Sequence, residues 1–288
     1  MPRPRKQFGQ HWLQSDKALS KILAAAELQK GDGDHPGDRV LEIGPGKGIL
    51  TRPLVQQAAT VVSVEIDRDL CELLAQKMGQ LDNFLLLQGD FLTLDVDALL
   101  TPFPQFQQPN KVVANIPYNI TGPILEKLLG TIAQPNPCPF ESIVLLVQRE
   151  VALRLRAQAG STHFGALSVR VQYLATCELI CDVPAKAFRP PPKVDSAVIR
   201  LRPRSLSTPA THPHHLEKLV KLGFSSKRKM LRNNLQSVVD RDRLETLLTG
   251  LGAEPTVRAE DLSVEQWVSL SNQLVPETEA IVPDPSRA

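Results

Sequence analysis

No apolar run in this chain can cross a bilayer: the longest, such as Ile143 to Val147, fall far short of the roughly 20 residues a spanning helix needs. A membrane partner is therefore not expected. Cysteine is scarce, with Cys71, Cys138, Cys177 and Cys181 forming no C-x-x-C pair and no histidine standing near the Cys177/Cys181 spacing. That argues against a zinc site, so no metal is expected, and leaves thiols expected to behave as small buried apolar groups in a reducing, cytoplasmic compartment. Charge of one sign is also lacking: 33 Lys and Arg against 31 Asp and Glu give a net charge of +2. Global charge thus neither points to a polyanionic partner nor excludes one, and local placement must decide. The basic start, Met1 to Lys6, leads into no apolar secretory region, so no targeting peptide is expected. No internal repeat is present.

What the chain does have is alternation. Val-, Ile- and Leu-rich runs at Val40 to Ile43, Val61 to Ile66, Phe84 to Leu87, Lys111 to Ala114 and Ser142 to Gln148 are separated by stretches compatible with helices. This pattern predicts an α/β fold with a mostly parallel sheet covered on both faces. Two more strands, Tyr173 to Ile180 and Ser196 to Leu201, bring the sheet to seven, and their shorter separation suits an antiparallel addition. The Pro-, Ser-, Thr- and His-containing stretch Pro203 to Pro213 reads as a linker. Beyond it the periodicity is helical: His214 to Gly223, Ser226 to Val238, Arg241 to Leu248, and a last helix opened by Ser263 with Gln266 at capping-box spacing. The chain is thus expected to divide into residues 1–203, carrying the sheet, and a small all-helical domain, 204–288.

The strand Val40 to Ile43 runs into Gly44-Pro45-Gly46-Lys47-Gly48, and the next strand carries Glu65 near its tip, seventeen residues after Gly48. This is a Rossmann-like start, in which glycines admit a ligand to the backbone and an acid accepts ribose hydroxyls. A nicotinamide or flavin dehydrogenase would share it. The spacing G-x-G-x-G, the acid Glu42 two residues before Gly44, and Gly89-Asp90 after the third strand, where a carboxylate can accept from an adenine amine, favour S-adenosylmethionine.

A further strand ends in Asn115-Ile116-Pro117-Tyr118. Ligands collect at this edge of open α/β sheets, and an extruded adenine needs what these residues offer: an amide oxygen and a backbone carbonyl to accept from its exocyclic amine, and a ring face for stacking.

With these residues in place the chain resembles the small-subunit ribosomal RNA adenine dimethyltransferase family, also called KsgA or RsmA. The resemblance is carried by Arg5 to Gln10, Val40 to Thr51, Glu65-Ile66-Asp67, Gly89-Asp90, Asn115 to Thr121, Phe188 to Val198 and Arg258 to Ser263. The string Phe188-Arg189-Pro190-Pro191-Pro192-Lys193-Val194-Asp195-Ser196 is its most specific part. The resemblance implies a Rossmann-like class I methyltransferase. His11, Leu13, Gly44, Gly46, Glu65, Asp90 and Asn115 would line the S-adenosylmethionine pocket. Asn115 and Ile116 would engage the target amine, and Tyr118 and Phe188 would sandwich the flipped base. It also implies two adjacent adenosines near the 3′ end of 16S rRNA in a pre-ribosomal particle as substrate; a monomer is expected. Where the family usually has Asn then Phe, this chain has His11 and Trp12.

Between Lys218 and Arg232 stand six basic residues and no acid. This is a local phosphate-binding footprint, with Lys227, Arg228, Lys229 and Arg232 as candidate RNA contacts and Arg3, Arg5 and Lys6 as an accessory arm. Two rivals share much of this pattern: a large-subunit rRNA dimethyltransferase of the resistance type, against which the Phe188 to Val198 string argues, and a non-catalytic RNA-binding assembly factor, against which the intact Gly44, Glu65, Asp90 and Asn115 set argues.

Overall fold

Strands buried on both faces must be apolar along their whole length, and the runs singled out above are. In the computed structural model, which describes residues 4–5, 8–32 and 34–274, the first unit takes in residues 1–130, 136–156 and 175–203. Its elements in chain order are β1 (Trp12–Leu13), α1 (Asp16–Ala26), β2 (Arg39–Ile43), α2 (Thr51–Gln57), β3 (Thr60–Glu65), α3 (Arg68–Met78), β4 (Phe84–Gln88), α4 (Val96–Leu100), β5 (Lys111–Asn115), α5 (Thr121–Leu129), β6 (Ser142–Gln148) and α6 (Arg149–Arg156). After α7 (Ala166–Leu174), which belongs to the second unit, β7 (Ala175–Val183), β8 (Phe188–Arg189) and β9 (Ser196–Pro203) complete it.

The main sheet has seven strands in the order β4-β3-β2-β5-β6-β9-β7. From β4 to β6 every pairing is parallel, with Val40 opposite Val61 and Val113 opposite Val144. β9 lies antiparallel between β6 and β7. The order reverses between β2 and β5, which places the ends of β2, β3 and β5 around one crevice. Val40, Val61, Val113, Val144 and Val198 pack with Ile22 of α1, Leu54 of α2 and Leu74 of α3 into a buried core. This packing holds the strand ends in fixed register.

The second unit takes in 131–135, 157–174 and 204–288. Beyond Pro203 its described residues form α8 (Pro213–Gly223), α9 (Leu231–Asn234), α10 (Arg241–Gly250) and α11 (Val264–Leu274), with no strand among them. The Ser263 capping box is formed: Ser263 Oγ accepts from the Gln266 amide at 3.2 Å, and Gln266 Oε1 from the Ser263 amide at 2.9 Å. Trp267 on α11 is fully buried against Gly223, where any Cβ would fall 2.4 Å from the indole. No helix among the described residues is long and apolar enough to cross a membrane.

The structure departs from the sequence expectation in four places. A single cut at 203/204 misses Ala157–Leu174, which groups with the helices. The strand expected from Tyr173 begins at Ala175, because Tyr173 and Leu174 end α7, where the Tyr173 hydroxyl accepts from the Ala210 amide. The helix expected over Ser226 to Val238 shrinks to α9. The buried Asn234 amide donates to the Gly223 and Ser226 carbonyls, and these bonds hold the chain before α9 in a turn. Of the four thiols only Cys71 is buried, and Cys138 is exposed in a loop. Residues 1–3, 6–7 and 275–288, which include Arg3, Lys6 and the tail, lie outside the described residues.

Candidate active site

The crevice at the strand ends holds a cavity of about 210 Å³. His11, Gly44, Gly46, Glu65, Asp90, Asn115, Ile116 and Tyr118 line it together. Gly44 (φ 67°) and Gly46 (φ 60°) adopt left-handed backbone that side chains disfavour, and a Cβ on Gly46 would press on the Trp12 ring at 3.3 Å. The turn therefore brings bare backbone to the cavity wall.

Glu65, 4% exposed, ends β3 with both oxygens already committed: Oε2 accepts from the Gly46 amide at 3.0 Å and Oε1 from the Asp67 amide at 2.9 Å. Burial raises its pKa and these amides pull it back down. The same carboxylate thus fixes the glycine turn and still has lone pairs for a diol. Asp90 is held by the Leu92 amide at 2.9 Å, in a loop clamped from behind by Lys127, whose Nζ donates to the Phe91 and Leu94 carbonyls at 2.6 Å each.

At the end of β5, Asn115 Nδ2 donates to the His11 carbonyl at 3.2 Å. The amide is thereby oriented, and its oxygen remains to accept. Ile116, only 1% exposed as a residue, follows Asn115 and also lines the cavity. The Tyr118 hydroxyl shares a 2.5 Å hydrogen bond with Ser196 Oγ, and burial raises its pKa, so the phenol stays protonated and the ring stays fixed. His11 donates from Nδ1 to the Pro190 carbonyl at 2.8 Å and lies stacked on Tyr118, ring centroids 5.9 Å apart.

Two expected residues lie elsewhere. Phe188 is 3% exposed in the core, paired across β1 and β8 with Leu13, and does not line the cavity. The ring stacked on Tyr118 is that of His11. Leu13, 2% exposed, lines instead a second cavity of about 210 Å³ that shares Trp12, Gly44, Gly46 and Asn115 with the first. The β1–β8 pair that causes both shifts is two residues long, too short for any alternation to announce it. Sequence reasoning also passed over Ile66, Phe91 and Leu92, which line the cavity. Their place beside Glu65 and Asp90 was the available signal, since apolar side chains next to hydrogen-bonding acids suit the faces of a base.

The basic run is partly neutralised. Arg232, 19% exposed, is paired with Glu245 at 2.8 Å, and Lys227 with Glu260 at 3.3 Å. Arg228 and Lys229 are exposed, with no carboxylate paired to them among the described residues.

Beneath the turn, Glu42 is fully buried with Ser63 Oγ donating to it at 2.6 Å, and burial pushes its pKa up to about 7. A carboxyl that keeps its proton longer when folded stabilises the fold below its unfolded value of 4.5, and this contribution is lost as pH rises through about 7. The loss amounts to something on the order of 3 kcal/mol. Glu42→Gln should therefore melt at a temperature that falls less between about pH 5 and pH 8 than that of the wild type, and should be the more stable protein at the upper end. Parallel melting curves for the two proteins across that range would show that Glu42 is ionised throughout.

The residues present fit an adenosyl ligand with an amino-acid tail: bare turn backbone, a buried acid at the second strand's tip, and a buried Trp12 Nε1 with no partner at the turn. With the doubly wound order of β4 to β6 and the antiparallel β9 inserted before β7, they define the Rossmann-like class of S-adenosylmethionine-dependent methyltransferases. The sequence model of the family described as "Ribosomal RNA adenine dimethylase" matches residues 1–275. The chain belongs to that family. It is 66% identical over 274 residues to a Ribosomal RNA small subunit methyltransferase A of Nostoc punctiforme, covering 95% of this chain and 96% of the relative. It is 68% identical over 274 residues to one of Trichormus variabilis, covering 95% and 99%. Among solved structures, a dimethyladenosine transferase from Plasmodium falciparum superposes with a TM-score of 0.72 at 25% identity, covering 90% of this chain and 96% of that one. The 23S rRNA methyltransferase ErmE follows with a TM-score of 0.69 at 30% identity, covering 91% and 99%.

Proposed function

We propose that this chain dimethylates N6 of two adjacent adenosines near the 3′ end of 16S rRNA, on an assembling small-subunit particle in the cytoplasm, acting as a monomer. The observation that carries the reading is the oriented Asn115 amide, its nitrogen held by the His11 carbonyl and its oxygen left as an acceptor in the cavity. S-adenosylmethionine supplies a methyl group made electrophilic by the attached sulfonium.

The lone pair of an adenine N6 amine is delocalised into the ring, which makes it a weak nucleophile. Asn115 Oδ1 and the Ile116 carbonyl accept from that amine, raise electron density on nitrogen and favour its pyramidal form. Glu65 and Asp90 hold ribose and adenine donors, so much of the rate comes from orientation. The proton leaves to water once the nitrogen is cationic. Tyr118 offers its ring face to the extruded base, and stacking returns about 1–3 kcal/mol of the unstacking cost. On this reading His11, the ring already stacked there, swings aside or serves as the second face. Phe188 acts from the core by holding β1.

The Nostoc and Trichormus relatives carry names that specify the small subunit, and the Phe188 to Val198 string points the same way. Labelled methyl offered to small- and large-subunit particles lacking the modification should enter the small-subunit RNA alone. Label in large-subunit RNA alone would put the resistance-type reading in its place.

RNA phosphates are met by the free cations of the turn before α9. Arg228→Ala with Lys229→Ala should lower the salt slope of particle binding by about 0.7–0.9 for each phosphate no longer neutralised. Lys227→Ala and Arg232→Ala, whose cations are already paired, should change it less. A slope untouched by the first pair would place the footprint elsewhere.

A further inference from the structure

The cavity walls are charged unevenly. Glu65 and Asp90, to which the proposed function gives the hydrogen-bond donors of the adenosine, line one part of the cavity. Around the glycine turn, the second cavity shares Trp12, Gly44, Gly46 and Asn115 with the first and adds Lys47. Lys47 Nζ sits 3.7 Å over the Trp12 ring, and no carboxylate among the described residues pairs with it. Trp12 Nε1 is buried without any hydrogen-bond partner. It lies close to the turn, where a Cβ on Gly46 would come within 3.5 Å of it.

A buried N–H left unpaired is costly, and an ammonium held on an indole without a counter-charge is incompletely satisfied. Two such donors beside bare turn backbone make a place for an anion. We propose that Trp12 Nε1 and Lys47 Nζ together bind the carboxylate of the cofactor's amino-acid tail, and so fix which way the cofactor lies in the cavity. The assignment rests on the S-adenosylmethionine reading of the site. It gives a physical role to one of the two positions at which this chain departs from the family's usual Asn then Phe, because phenylalanine has no N–H to donate.

The test is calorimetric and needs no turnover. S-adenosylhomocysteine and its carboxamide, in which the tail carboxylate becomes a neutral amide, are titrated into wild type, Trp12→Phe and Lys47→Met. Wild type should prefer the carboxylate form. Each substitution should weaken S-adenosylhomocysteine roughly tenfold while changing carboxamide binding less than about twofold. The preference of Lys47→Met should also lose its salt dependence. Equal weakening of both ligands would mean that the pair only shapes the turn, and unchanged binding of S-adenosylhomocysteine would mean that the carboxylate lies elsewhere. Either result overturns the assignment and leaves the cofactor reading intact. If wild type bound neither ligand, the cofactor reading itself would fall and take the assignment with it.

Discussion

Asn115→Ala should lower the rate of methyl transfer by about 100- to 1000-fold, the usual consequence of removing one group aimed at charge that develops in the transition state. Particle affinity should stay nearly unchanged, because the proposed phosphate-binding cations are Arg228 and Lys229 of the other unit. Asn115→Asp is the sharper control. It preserves the shape, but a carboxylate cannot donate to the His11 carbonyl now held at 3.2 Å, so the acceptor loses its orientation and two oxygens face each other. The aspartate variant should therefore be as slow as the alanine variant. If it retained most of the rate, any acceptor at this position would suffice and the oriented amide would not be the activating group. If RNA affinity fell in step with activity in either variant, the division of labour between the units would be wrong.

Glu65→Ala should weaken S-adenosylhomocysteine binding by about 100-fold or more in calorimetry. It removes an acceptor for the ligand's diol and also leaves the Gly46 and Asp67 amides without partners, and hydrogen bonds to a charged group contribute roughly 1.5–3 kcal/mol each. Glu65→Gln keeps one acceptor oxygen and should lose less. Since burial raises the Glu65 pKa, binding should weaken as the pH falls through a value above the ordinary carboxylate range, and the glutamine variant should lack that dependence. Unimpaired binding by Glu65→Ala would remove this acid from the site.

Much of this site is legible in the sequence because its residues stand at strand ends or within two residues of them, and strands buried on both faces announce themselves as apolar runs. Gly44, Glu65, Asp90 and Asn115 fall into place once β2 to β5 are ordered around the crevice. What the sequence hides depends on partners distant along the chain. β1 and β8 are too short for periodicity, yet their pairing sends Phe188 into the core and sets the His11 ring on Tyr118. The basic run reads as uniform, yet Glu245 and Glu260 pair with Arg232 and Lys227 through the fold of the helical unit, leaving Arg228 and Lys229 as the stronger candidates. The turn before α9 defeats a helical reading of residues 226–238 because Asn234 is buried and bonded to Gly223 and Ser226, while the Ser263 capping box, a purely local device, forms as its spacing predicts.

Placement of methyl groups on N6 of adjacent adenosines in small-subunit rRNA is tested most directly by mass spectrometry of the 3′ fragment of 16S rRNA. The fragment is taken from unmodified small-subunit particles after incubation with the purified protein and S-adenosylmethionine. N6,N6-dimethyladenosine is expected at two neighbouring positions, and only a small residue of it when Asn115→Ala replaces the wild type for the same time. A fragment that carries no dimethyladenosine after that incubation would contradict the proposed activity.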